Sequence, residues 1–78
     1  MTKITVVIHQ VYETSFSLGC VRVYQGHLTQ ESIEHQLGTR DADDGDKLTI
    51  EHHNLYSDVS ETIKSFVFER EDGNWVAQ

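Results

Sequence analysis

The residues with the clearest chemical potential are acids. Asp41, Asp43, Asp44, Asp46, Glu51, Asp58 and Glu61 fall within one stretch whose only base is Lys47. That stretch carries −6 of the chain's net charge of −7, while residues 1–40 are neutral and residues 62–78 carry −1. Concentrated carboxylates build a local negative field that steers a basic partner. Tyr56 lies among them, and an exposed Tyr is a common interface anchor. The plainer reading of the stretch is a solvated loop followed by the outer face of a hairpin. Calcium is the sharper reading of residues 41–46. An EF-hand loop needs acids at positions 1, 3 and 5, Gly at 6 and Glu at 12. Counted from Asp41, Gly45 falls at position 5 and His52 at position 12, so the register fails.

The five His residues invite a metal hypothesis that their spacing does not support. His52 and His53 are adjacent on an expected strand, so they point to opposite faces and cannot share one ion. His9, His27 and His35 fall on three different elements, and no Cys/His spacing matches a structural zinc site. His35 is one helical turn after Glu31, which suits a surface contact. Cys20 becomes a nucleophile only if a His approaches it in the fold. Its setting among Leu18, Val21 and Val23 suits a small buried hydrophobe better. No nucleophile elbow, phosphate loop or dinucleotide fingerprint is present. No metal or other cofactor is expected, and no enzymatic activity.

The elements that must position these residues follow from periodicity. Ile4 to Val11 reads as a strand, with Ile4, Val6 and Ile8 on one face and Thr5, Val7, His9 and Val11 on the other. Apolar residues on both faces predict a central strand. Tyr12-Glu13-Thr14 is the expected turn into a strand from Phe16 to Tyr24, where Gly19 marks a bulge or a close approach. Thr29 is a good N-cap, Leu28 and Ile33 have hydrophobic-staple spacing, and Gly38 suits the C′ position, which predicts a two-turn helix over 30–37. A helix this short persists only against a sheet. Lys47 to Tyr56 alternates again, with Leu48, Ile50 and His52 on one face. Residues 58–66 carry both signals. Asp58 and Glu61 have capping-box spacing, but Thr62, Ile63, Phe66, Val67 and Phe68 favour a strand. A strand from Thr62 to Arg70 is preferred, with a helix as the alternative. Asp72-Gly73 closes a hairpin onto Trp75-Val76-Ala77, where Trp75 is expected to pack on Phe66 or Phe68.

The expected fold is therefore α+β: one small domain over residues 1–78 with strand and helix order ββαβββ. Composition narrows the function class. A chain of 78 residues with one Cys builds no disulfide scaffold, and the lone thiol suits a cytoplasmic setting. No apolar run reaches the ~20 residues a membrane span needs. Met1-Thr2-Lys3 leads into the first strand without a cleavage-site pattern. The acidic balance opposes direct binding to nucleic acid or to an anionic membrane.

In general character, a short acidic single domain without an enzyme motif, the chain resembles small phage-encoded inhibitors, including anti-CRISPR proteins and other DNA mimics. The resemblance implies a viral protein that occludes a basic, nucleic-acid-binding surface of a target protein or nucleoprotein complex. Asp41, Asp43, Asp44, Asp46, Glu51, Asp58 and Glu61 would stand in for phosphates, with Tyr56 beside them. The alternative is a structural or accessory subunit or a homodimer, pairing through sheet edges. A third class is a small-ligand binder or enzyme with a shallow pocket on a sheet face lined by His9, His52 or Cys20.

Overall fold

The computed structural model describes residues 1–11, 19–37 and 43–78. Strands β1 (Thr2–Gln10) and β2 (Gly19–Gln25) precede helix α1 (Gln30–Leu37), and β3 (Lys47–Leu55), β4 (Ser60–Glu71) and β5 (Asn74–Ala77) follow. They form one antiparallel sheet in the order β2-β1-β3-β4-β5. The expected α+β domain of order ββαβββ is thus the observed one. The expected turn at residues 12–14, the strand start at Phe16, the helix-ending Gly38 and Asp41 all lie outside the described residues.

β1 lies between β2 and β3, so two-sided apolarity did mark an interior strand. Both neighbours run antiparallel to it and hence parallel to each other. Parallel strands need a crossover. Here α1 provides it, and the crossover carries the chain past β1 over one sheet face. On that face Val7, Leu48, Ile50, Phe68 and Trp75 are buried together with Ile33 of α1. The alternation seen in the sequence grouped Leu48 with Ile50 and Thr5 with Val7, and the structure shows that these two groups share the buried face.

Local contacts fix the crossover. The Ser32 N–H donates to Thr29 Oγ1 at 3.2 Å and the Ile33 N–H to Thr29 O at 3.1 Å, so Thr29 is the N-cap. Leu28 packs against the cluster that contains Ile33, which completes the staple. Fully buried Thr5 ties the helix start to the sheet. Its hydroxyl donates to Gly26 O at 2.7 Å and accepts the Leu28 N–H at 2.8 Å. Gly26 turns the chain at φ +81°, a conformation that costs a residue with a Cβ about 1–2 kcal/mol.

Residues 60–71 are strand, which excludes the helical alternative for 58–66. β4 starts two residues before Thr62, because Ser60 and Glu61 still pair with Leu55 and Asn54. The β1–β2 register runs evenly from Ile4↔Gln25 to Gln10↔Gly19, and the residues that precede Gly19 lie outside the described ones. A bulge lies on β4, where His52 pairs with Lys64 and His53 with Thr62, leaving Ile63 unmatched. Asp72 (φ 49°) and Gly73 (φ 79°) form the two-residue turn between Glu71 and Asn74. Trp75 is paired with Arg70 across this hairpin and is buried in the same cluster as Phe68, one of the two expected partners. The Arg70 guanidinium lies 5.2 Å from the indole centroid.

Candidate protein-binding surface

The fold divides the acidic stretch. Asp43 and Asp44 are exposed just before β3, and Asp44 Oδ1 accepts the Gly73 N–H at 3.2 Å. That bond joins them to the β4–β5 turn, where Glu71 and Asp72 are also exposed. Backbone bonds from Gly45 N–H to Arg70 O (2.8 Å) and from Arg70 N–H to Asp46 O (2.9 Å) extend the β3–β4 ladder to this end. Four carboxylates thus gather at one pole. None makes an ion pair with Lys or Arg among the described residues.

Asp58 and Glu61, with exposed Tyr56, lie at the other end of β3. A strand of nine residues is about 30 Å long. The screening length at physiological salt is about 8 Å, so the two groups do not act as one field. Glu51 lies between them on the open sheet face, where its Oε1 is 3.1 Å from His53 Nε2. Asp41 lies outside the described residues.

Asp46 requires a correction. It is not part of the acidic surface, because only 2% of it is exposed. Its Oδ2 lies 2.9 Å from His9 Nε2 and accepts the Asp43 N–H at 3.2 Å. The His9 ring meets Trp75 edge to face, with centroids 5.8 Å apart. A buried carboxylate is stable only when bonded and paired. Asp46 therefore holds the loop before β3 to the core. Sequence reasoning missed this, although a signal existed: Asp46 is two residues before Leu48, and His9 is two after Val7, on the same alternating face.

The other histidines anchor backbone. His52 and His53 do project to opposite faces. His52 Nε2–H donates to Leu28 O at 2.7 Å, and His27 Nε2–H to His53 O at 3.1 Å. The His27 and His52 rings stack 4.8 Å apart and 4° from parallel. Among the described residues no three His, Cys, Asp or Glu side chains gather as a metal site.

One sheet face is thus covered by the helix, and the other is open. The open face carries Val21 and Val23, 65% and 62% exposed, with Val67 and Val76 further along it. Together these features define a small α+β domain with an acidic pole and an uncovered aliphatic sheet face. No protein-family model matches the chain, and no curated protein or solved structure is significantly similar to it.

Proposed function

We propose that this chain is a small, non-catalytic protein-binding module whose acidic pole occludes a basic nucleic-acid-binding surface on another protein or nucleoprotein complex. The observation that supports it is the convergence of Asp43, Asp44, Glu71 and Asp72, held together by the Asp44–Gly73 bond. Exposed carboxylates that make no ion pair with Lys or Arg among the described residues are ready to meet a basic partner, and the release of bound counterions makes such contacts sensitive to salt. The surface differs from the one expected in sequence: Glu71 and Asp72 join it, and Asp46 leaves it. The test is a capture experiment with wild type and a D43N/D44N/E71Q/D72N variant as baits. Wild type should retain a nucleic-acid-binding protein, compete with DNA or RNA for it, and release it as salt rises. Equal capture by the variant, or no competition, overturns the reading.

The open sheet face favours a second reading, an accessory subunit. Adjacent exposed valines on a flat sheet are the kind of apolar patch that a second protein surface covers. Light scattering separates the homodimeric form of this reading from a monomer. A Val21→Lys/Val23→Lys variant should dissociate a dimer and leave the acidic pole's binding unchanged.

A further inference from the structure

The crossover leaves a cavity of about 340 Å³ between the start of α1 and the β3–β4 ladder. This lies within the ~300–1,000 Å³ range of small-molecule sites. Leu28, Thr29 and Gln30 line the helix side. Ile50, Phe66, Phe68 and His52 line the sheet side, so none of the described lining residues carries a fixed charge.

His52 is the one ring in that lining with a polar edge, and it is held on several sides. The Leu28 carbonyl can only accept, so Nε2 carries the proton of the neutral ring, which leaves Nδ1 as an acceptor. Nδ1 has no partner among the described residues. His27 stacks on the ring, and Phe66 meets it edge to face with centroids 5.6 Å apart. Phe66 is itself 39% exposed, so aromatic surface is accessible from solvent.

We infer that this cavity binds a small, flat, uncharged aromatic molecule that donates one hydrogen bond to His52. Each attribute has a source. The volume limits the size, and the aromatic walls favour a planar ring. The absence of a lining charge disfavours an ion. Phe66 and Phe68 reward an aromatic ring. The unpaired ring nitrogen can accept from one donor. The inference uses none of the residues of the acidic pole, which lies at and beyond the C-terminal end of β4.

Indole is a suitable probe because it has one N–H, and N-methylindole is the matched control without it. Titration of the isotope-labelled full chain with indole, followed by NMR, should give saturable shifts at the Leu28, Gln30, Ile50 and Phe66 amides. N-methylindole should bind about three- to tenfold more weakly, the worth of one neutral hydrogen bond. His52→Phe should remove that difference. If it does not fold, Phe66→Ala, at a partly exposed site, should weaken indole binding about tenfold or more, since it removes an aromatic wall. No saturable shift at these amides up to about 5 mM indole, the weak end of specific binding, would overturn the inference. So would equal affinity for indole and N-methylindole, or unchanged binding in Phe66→Ala.

Discussion

His9 Nε2 lies 2.9 Å from Oδ2 of Asp46, which joins β1 to the loop that enters β3. Asp46 is almost fully buried, whereas the His9 side chain is about a quarter exposed. The two partners therefore respond differently to removal. Asp46→Ala leaves the Asp43 N–H and His9 without an acceptor and should cost about 2–4 kcal/mol. His9→Ala leaves a buried carboxylate that keeps its backbone donor and should cost about 1–3 kcal/mol. Urea unfolding with an unchanged m-value measures both. A double variant costing much less than the sum of the two is the sign of coupling.

Thr5 offers a cleaner test, because its hydroxyl is wholly buried and makes two bonds. Thr5→Val keeps the shape and leaves the Gly26 carbonyl and the Leu28 N–H unpaired. The expected loss is about 2–4 kcal/mol. Thr5→Ser keeps both bonds and should cost less than about 1.5 kcal/mol, the order of one lost methyl group. If the two variants melt together, the hydroxyl does not anchor the crossover.

Gly73 holds φ 79° with open space where a Cβ would stand. Gly73→Ala should therefore lose stability through backbone strain alone, about 1–2 kcal/mol. A thermal melt measures this, and a loss within error would show that the turn relaxes.

The division of the acids predicts a functional asymmetry. D43N/D44N/E71Q/D72N should weaken partner binding and flatten its salt dependence. D58N/E61Q, at the opposite end of β3, should leave both nearly unchanged. Affinity measured at two ionic strengths separates the two variants. Equal losses would mean that charge acts as a total rather than through one pole.

The legible parts of the fold were those that short-range chemistry dictates. Thr29 with Leu28 and Ile33 fixed the helix start, Asp72-Gly73 fixed the hairpin, and Leu48 with Ile50 marked one apolar face of β3. What stayed hidden depended on pairing between distant segments. Glu71 and Asp72 reach Asp43 and Asp44 only because Lys47 pairs with Glu69. The stack of His27 on His52 needs the crossover to return over β3. The acidic run looked continuous because sequence distance hides the length of an extended strand: nine residues of β3 separate its two ends.

The unmatched residue Ile63 has a further effect, on what other chains can do. β5 pairs only with Phe68 to Glu71, so among the described residues no strand covers the outer edge of β4 from Ser60 to Phe66. An unpaired edge is an invitation to cross-β growth. An incoming strand in regular register would lose its alternation at residue 63 and meet Lys64 immediately beyond. The bulge thus breaks the template that an exposed strand edge offers, and it makes this margin of the sheet a poor seed for fibrils.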